Sequence, residues 1–167
     1  MPNELLPVVN EQDELIELRC RQEVHQLQLR HRAVHIFMFN EQGRLFLQKR
    51  SMFKDLNPGL WDTSAAGHVD GTESYDTCAH RELWEELGIT ALLYKLFKLD
   101  ACPELGMEFI QVYRCMYNGP LKLEPAEIDE GAWYSLKDIN TIVDKNDPQF
   151  TDTFKIIWRN FRLIGSM

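Results

Sequence analysis

The sequence predicts a sandwich of the α/β or α+β class, built from strands with helices before and after them. Two observations support this fold class. Apolar runs typical of strands, such as AVHIFMF at residues 33–39, recur along the chain between turns. Residues 74–87 and 152–163 instead carry apolar side chains at the three- and four-residue spacing of amphipathic helices. A length of 167 residues is typical of one domain, so we treat residues 1–167 as a single unit.

Strands joined by turns dominate the first half of the prediction. The predicted strands are residues 6–9, 14–18, 33–39, 44–48 and 61–66. The first two and the next two form antiparallel hairpins, because a four-residue turn separates the members of each pair. Residues 19–29, between the hairpins, are predicted as a short helix or a loop. The last strand leads directly into Gly67.

The second half contains the main predicted helix, residues 74–87. Ser74 or Thr72 caps its start, and Gly88 ends it because glycine adopts the left-handed conformation without strain. Apolar residues recur every four positions along this helix and form a stripe for the core. Further strands are predicted at residues 89–99, 108–117 and 132–134, and further helices at residues 135–143 and 152–163.

The charge balance excludes some classes of partner. The chain has 18 Lys and Arg against 26 Asp and Glu, a formal net charge of −8. Such an acidic protein repels the phosphates of nucleic acids and anionic membranes, so we expect neither as a partner. Metal binding stays open, because carboxylates are useful ligands. With 44% hydrophobic and 26% charged residues, the composition is that of an ordinary soluble globular protein.

Cysteine usage and the termini indicate a reducing compartment. The four cysteines form no CxxC pair and lie far apart, at Cys20, Cys78, Cys102 and Cys115. This spacing favours free thiols over a zinc knuckle or a disulfide framework. The N-terminus lacks the pattern of a signal peptide, and no apolar run approaches the ~20 residues of a membrane-spanning helix. We therefore expect a cytoplasmic protein.

Three glutamates near the end of the predicted main helix form the first candidate site. Glu82, Glu85 and Glu86 are spaced i, i+3 and i+4, which places them on one face of the helix. Each like-charged pair at this spacing costs about 0.2–0.5 kcal/mol, and the helix dipole also disfavours acids near a C-terminus. A divalent cation such as Mg²⁺ would turn this arrangement from a cost into a gain. The alternative is an ordinary solvated acidic face.

The glutamates belong to a longer pattern. Residues 67–89 read GHVDGTESYDTCAHRELWEELGI and match all nine positions of GX5EX7REUXEEXGU, where U is aliphatic. In this pattern the sequence resembles the Nudix hydrolase family. The resemblance implies an α/β/α sandwich with a mixed β-sheet, a core at about residues 31–145, an N-terminal extension at 1–30 and a C-terminal helix at about 151–163. It also implies a Mg²⁺- or Mn²⁺-dependent pyrophosphohydrolase that cleaves a nucleoside diphosphate linked to another group.

The resemblance assigns roles to residues within this segment. Metal ligands are implied at Glu82, Glu85, Glu86 and the carbonyl group of Gly67. Arg81 would pair with Glu73 and hold the loop against the helix, in support of catalysis. The base that takes the proton of the attacking water stays open. Glu85 or Glu86 could act through a metal-bound water, or a later carboxylate could act instead, at Glu108, Glu127, Asp129 or Glu130.

A second resemblance covers residues 31–73. HRAVHIFMFNEQGRLFLQKR and PGLWDTSAAGHVDGTES are similar to isopentenyl-diphosphate isomerases and the bacterial Nudix proteins related to them. Those isomerases carry a catalytic cysteine directly before the Gly-His pair, where this chain has Ala66. Alanine carries no proton, and the isomerases usually lack the intact REUXEEXGU ending. Both departures favour hydrolysis over isomerisation.

The same resemblance marks a second candidate metal site. In the isomerases, histidines near these places bind a metal. His31 and His68 match those places directly, and His25 matches with a gap. The alternative is three ordinary histidines, hydrogen-bonded near the cleft or exposed.

Basic residues at the end of a predicted strand are candidates for binding the substrate. Arg50, Lys49 and Lys54 could hold phosphate groups, and Arg does so bidentately. The alternative is a solvent-exposed strand end. The predicted partner is a small-molecule diphosphate, for a monomer or a homodimer. Three functions compete: the hydrolase, the isomerase and a non-catalytic Nudix binding module. The complete set of motif glutamates favours the hydrolase.

Overall fold

The computed structural model describes residues 4–165, which form a mixed β-sheet with helices on both faces. The strands are β1 Leu5–Val9, β2 Leu15–Cys20, β3 His31–Phe39, β4 Leu45–Arg50, β5 Trp61–Asp62, β6 Ala65–His68, β7 Tyr94–Leu99, β8 Glu108–Met116 and β9 Ile128–Tyr134. The helices are α1 Arg21–Gln26, α2 Tyr75–Leu87, α3 Leu136–Asp144 and α4 Asp152–Gly165, with a 3₁₀ turn at Pro103–Leu105. The predicted α/β/α sandwich is confirmed. No helix within residues 4–165 is long and apolar enough to cross a membrane.

The main sheet is built around β3. Its strand order is β5-β4-β3-β8-β7, with β6 also paired to β3 and β9 to β4. β3 runs parallel to β8 along its whole length, from His31 opposite Glu108 to Phe39 opposite Met116. β3 and β4 form the predicted hairpin only next to the turn, where two residue pairs are in register. Beyond that point the two strands diverge, and the space between them becomes part of the candidate site.

Both faces of β3 are buried, which explains its continuous apolar run. Phe37 and Phe39 pack on the side of α3 and α4, together with Trp158. The residues that alternate with them along β3, such as Ile36, point to the opposite face and pack on the side of α2 against Leu83. Each such fully buried side chain contributes about 1.5–3 kcal/mol through the hydrophobic effect. β3 is therefore the central support for the site.

The N-terminal strands form the predicted antiparallel hairpin, which is a two-stranded sheet separate from the main one. β1 and β2 pair antiparallel, and Leu6 and Val8 pack under Val24 of α1. The segment at residues 19–29, predicted as a short helix or a loop, therefore contains the helix α1. This small unit contacts the main sheet through Asp13, whose carboxylate accepts a hydrogen bond of 2.7 Å from Arg32 Nε. It brings α1 next to the start of β3.

The predicted strand at residues 132–134 is only the end of the longer β9, Ile128–Tyr134, and two further predicted strands differ more. Residues 61–66 form two strands, because β5 pairs with β4 and β6 pairs with β3 after those strands diverge. Residues 89–99 are extended in the sheet only from Tyr94 onward. Ile89 and Leu93 instead pack into the core cluster under α2. The local apolar pattern predicts burial at residues 61–66 and 89–99, but pairing with distant strands decides where each strand begins.

Candidate metal and phosphate site

The segment from β6 to the end of α2 forms one compact unit. Ser74, and not Thr72, caps α2: its Oγ accepts a hydrogen bond of 3.1 Å from the N–H of Thr77. Gly88 ends the helix with φ of 68°, and its N–H donates to the Trp84 carbonyl at 2.9 Å. These two caps place the last turns of α2 beside β6.

Arg81 is the centre of the ion-pair network between this loop and α2. Its Nε lies 3.0 Å from Glu73 Oε2 and its Nη2 lies 2.5 Å from Glu73 Oε1, so both carboxylate oxygens accept a hydrogen bond. Its Nη1 donates to Glu82 at 2.8 Å and to Glu85 at 3.1 Å. The hydrogen bonds to Glu73 are the largest cause that raises the pKa of Arg81 above its usual value. The structure thus brings together the pair that the resemblance implied.

Gly67 lies directly against the carboxylate of Glu82. A Cβ atom at residue 67 would lie 2.1 Å from Glu82 Cδ, so any other side chain would displace this carboxylate. Gly67 is not among the residues with positive φ. Space, and not backbone conformation, therefore requires a glycine at this position.

Glu86 is the most buried of the three motif glutamates, with 5% of its surface exposed. Its Oε1 accepts hydrogen bonds from the Ala66 N–H at 2.9 Å and from Gln48 Nε2 at 3.0 Å. Its Oε2 has no hydrogen-bond donor among residues 4–165. Burial raises the pKa of Glu86, and burial together with the charge of Glu86 raises the pKa of Glu82. Glu85 differs, because its side chain is about half exposed.

These carboxylates fit a divalent cation. Burial disfavours the ionised forms of Glu82 and Glu86, and the charge of Glu86 adds to this effect at Glu82. Among residues 4–165, Arg81 is the only cationic side chain that forms an ion pair with the three glutamates. Mg²⁺ and Mn²⁺ bind carboxylate oxygens, and a cation beside Glu82 and Glu86 would stabilise both as anions. The carboxylate of Glu82 occupies the space that Gly67 leaves open. The residues therefore fit the metal that the resemblance implied.

A cleft of about 1300 Å³ adjoins this acidic cluster. Arg50 and Lys54 line it, so two of the three basic residues predicted to hold phosphate face the same space as Glu82 and Glu86. Arg50 donates from Nε to the Leu56 carbonyl at 3.0 Å, and its Nη1 lies 3.8 Å from Asp62. Lys54 is ion-paired with Glu127. Lys49 does not line the cleft.

The three histidines come together at the end of β3. The ring centroids of His25, His31 and His68 lie 5.1–5.4 Å apart, and one nitrogen from each lies within 4.8 Å of the others. His31 Nδ1 lies 2.8 Å from the Leu29 carbonyl, a contact that requires the proton on Nδ1. The Nε2 atoms of His25 and His31 are buried and make no hydrogen bond. Burial and the neighbouring His68 lower the pKa of His25 to about 4.

Glu108, which was predicted only as a candidate base, contacts this histidine cluster. Its Oε2 lies 2.8 Å from His68 Nε2 and 3.3 Å from His31 Nε2. Burial alone would raise the pKa of Glu108, but the contacts with His31 and His68 hold it well below its usual value. Three converging imidazole nitrogens and one carboxylate are a donor set that binds transition metals. This geometry fits the second candidate metal site.

The other candidate bases are arranged differently. Glu127 lines the cleft but pairs with Lys54. Asp129 and Glu130 do not line the cleft, and Asp129 accepts a hydrogen bond from the Met52 N–H.

Two polar residues of the site were missed by the sequence analysis. Gln48 binds Glu86, and His35 lines the cleft from the middle of β3. For His35 a signal existed, since it is a polar residue inside an otherwise apolar strand.

Comparison with known protein families identifies the fold and the motif together. Residues 29–154 match the NUDIX domain. The chain belongs to the Nudix family. The predicted Nudix hydrolase, with isomerase-like bacterial relatives, is confirmed.

Individual Nudix relatives match most of the chain. An uncharacterized Nudix hydrolase of Yersinia pestis is 33% identical over 150 residues, which cover 87% of this chain and 80% of that protein. An isopentenyl-diphosphate Delta-isomerase of Serratia proteamaculans is 32% identical over 163 residues, which cover 95% of this chain and 91% of that protein. Among solved structures, DR0079 from Deinococcus radiodurans has a TM-score of 0.81 and 27% identity, with 93% of this chain and 98% of that chain covered.

Proposed function

We propose that this protein is a Mg²⁺- or Mn²⁺-dependent pyrophosphohydrolase that cleaves the diphosphate linkage of a nucleoside-diphosphate-X or a related small diphosphate. The observation that carries the proposal is the buried Glu86 together with Glu82, whose side chain is only 12% exposed, in a cleft that Arg50 and Lys54 also line. A cleft lined by both acidic and basic side chains suits a diphosphate bound together with a divalent cation.

The chain's own residues prepare the cleft for this reaction. The carboxylates of Glu82, Glu85 and Glu86 would hold the metal, which supplies charge neutralisation at the phosphate oxygens and an activated water when bound. Arg81 and Glu73 fix the loop so that Glu82 stays beside Gly67. Arg50 and Lys54 would bind the non-bridging phosphate oxygens through charge-assisted hydrogen bonds.

A hydrolysis screen tests the proposal. Purified protein with Mg²⁺ or Mn²⁺ is given nucleoside triphosphates, dinucleoside polyphosphates, nucleotide sugars and isopentenyl diphosphate, and released phosphates are measured. We expect metal-dependent hydrolysis of at least one class, and a loss of several orders of magnitude in Glu85→Gln and Glu86→Gln. Glu41→Gln, at the exposed turn between β3 and β4, is the matched control. Near-normal turnover in both motif variants would overturn the metal-site assignment.

Isomerisation of isopentenyl diphosphate is the second candidate function. The Serratia relative named as such an isomerase covers nearly the whole chain. The structure places Ala66 on β6 at the cleft, where its methyl group offers no proton. We therefore expect no isomerisation by the wild-type protein, and Ala66→Cys is the variant that tests whether a thiol there restores it.

We also propose that His25, His31, His68 and Glu108 hold a second metal ion. The buried, unbonded Nε2 atoms of His25 and His31 support this proposal, because unpaired buried nitrogens are costly without a ligand. Imidazole ligands favour transition metals over Mg²⁺, which prefers oxygen ligands.

A further inference from the structure

His35 occupies the position directly across the sheet from Ala66. The two residues are register partners in the antiparallel pairing of β3 with β6. Side chains of such partners lie on the same face of a sheet, with Cβ atoms about 4.5–5.5 Å apart. Both residues line the cleft. The small methyl group of Ala66 therefore leaves space beside the imidazole ring of His35.

The two ring nitrogens of His35 have different surroundings. Nδ1 lies 2.7 Å from Thr63 Oγ1 and 3.9 Å from the carboxylate of Asp62. A carboxylate on that side favours the proton on Nδ1, which leaves a lone pair on Nε2. Nε2 makes no hydrogen bond within residues 4–165. Among residues 4–165, the side-chain nitrogens that are fully buried without a hydrogen bond are Nε2 of His25 and Nε2 of His31, and Nε2 of His35 is not one of them. Because His35 lines the cleft, we infer that its Nε2 is accessible from there.

We propose that His35 is the general base of the hydrolysis, a role that rests on the proposed function. Its Nε2 lone pair takes a proton from the attacking water while the water oxygen forms a bond to phosphorus. The bond from that phosphorus to the bridging oxygen breaks, and its electron pair leaves with the departing phosphate. The imidazolium then returns its proton to the departing phosphate or to solvent, so the neutral ring is restored.

The surroundings of His35 suit this role. Burial lowers the pKa of His35, so the ring is neutral near neutral pH, and the nearby Asp62 opposes this lowering. Asp62, itself buried, would stabilise the imidazolium that forms in the reaction. Thr63 fixes the ring orientation through the hydrogen bond at Nδ1. His35 and Asp62 are thus both buried, with Nδ1 of His35 on the side of the acid and Nε2 on the other side of the ring.

The carboxylates considered as bases are already engaged. Glu108 contacts His31 and His68, and Glu127 pairs with Lys54. A cation or a hydrogen-bond donor beside a carboxylate stabilises its ionised form and so makes it a weaker base. His35 Nε2 has no such contact among the described residues. Its free nitrogen therefore makes it a better placed proton acceptor than Glu108 or Glu127.

Kinetics of His35→Asn test the proposal. Asparagine can keep the hydrogen bond to Thr63 but has no nitrogen at the Nε2 position. We expect kcat to fall by about 10²–10⁴-fold, the usual contribution of a general base, with KM and the melting temperature close to wild type. The matched control is His80→Asn, because His80 is exposed on α2. Wild-type kcat in a folded His35→Asn protein would overturn the base role.

Imidazole rescue separates a base from a structural residue. In His35→Ala, added imidazole should restore part of kcat, and the restored rate should depend on the basicity of the imidazole used. A loss that no imidazole restores assigns His35 to packing and overturns the proposal. Two-bond ¹H–¹⁵N NMR of the wild-type ring needs no variant: the Nδ1–H tautomer is expected, and the Nε2–H tautomer contradicts it. A wild-type protein without hydrolysis would instead overturn the proposed function itself.

Discussion

Arg81 binds both carboxylate oxygens of Glu73, through Nε at 3.0 Å and Nη2 at 2.5 Å. The same Nη2 also donates to the His68 carbonyl at 3.1 Å. One guanidinium therefore joins the end of β6, the loop after it and the face of α2 that carries the acidic cluster. Only Arg has the planar fork of donors that can make these contacts together.

Arg81→Lys should disconnect the loop from α2 while keeping the positive charge. A lysine can bind Glu73 with one nitrogen, so the two-point contact and the bond to His68 are lost. We expect the free energy of unfolding to fall by about 1.5–3 kcal/mol, the size of a hydrogen bond to a charged group, and kcat to fall as Glu82 loses its fixed position. Urea unfolding and hydrolysis rates measure both. Unchanged stability and turnover would show that the fork is dispensable.

Gly67→Ala should weaken metal binding more than it weakens the fold. The added Cβ would collide with the Glu82 carboxylate at 2.1 Å, and that side chain must turn away from the cleft or from its metal. We expect the affinity for Mn²⁺, measured by calorimetry, to fall by about tenfold or more, since each tenfold is about 1.4 kcal/mol. Gly165→Ala, where a Cβ meets nothing within 4 Å, is the control. Wild-type affinity in Gly67→Ala would place the metal elsewhere.

Contacts within one stretch of chain were predictable, whereas contacts across the sheet were not. Arg81 and Glu73 lie eight residues apart, and the motif spacing carries their pairing. Gln48 and Glu86 lie 38 residues apart, and they meet only because β3 and β4 diverge and let α2 approach β4. Glu108 reaches His68 from 40 residues away through the parallel pairing of β3 with β8. Local periodicity contains no information on such pairings.

Metal counting tests the histidine site. Protein loaded with Mn²⁺ and dialysed should hold one ion fewer per chain in His25→Asn than in wild type, because His25 supplies one of the three converging nitrogens. Glu108→Gln should show the same loss, since its carboxylate contacts His68 and His31. Elemental analysis gives the count, and His80→Asn is the control at an exposed histidine. An equal metal content in all four proteins would contradict the second site.

Asp13 links the N-terminal hairpin to the main sheet and has a lowered pKa. Its carboxylate accepts hydrogen bonds from Arg32 at 2.7 Å and from the Tyr75 hydroxyl at 2.7 Å, and it pairs with Lys98. Burial alone would raise the pKa of Asp13, but these donors together lower it below its usual value. Asp13 also has φ of 61°, a conformation that Asn adopts as readily as Asp.

Asp13→Asn should therefore destabilise the protein in a way that depends on pH. Because the folded-state pKa lies below the unfolded value, the stabilisation is fully present above the unfolded pKa of about 3.9 and is lost as pH falls through the folded pKa. We expect Asp13→Asn to cost about 2 kcal/mol near pH 7, and the difference from wild type to shrink toward about pH 2. Urea unfolding across this range measures it. Glu11→Gln, an exposed acid on the same turn, is the control. A difference that stays constant with pH would show that the carboxylate charge of Asp13 is not what stabilises the hairpin.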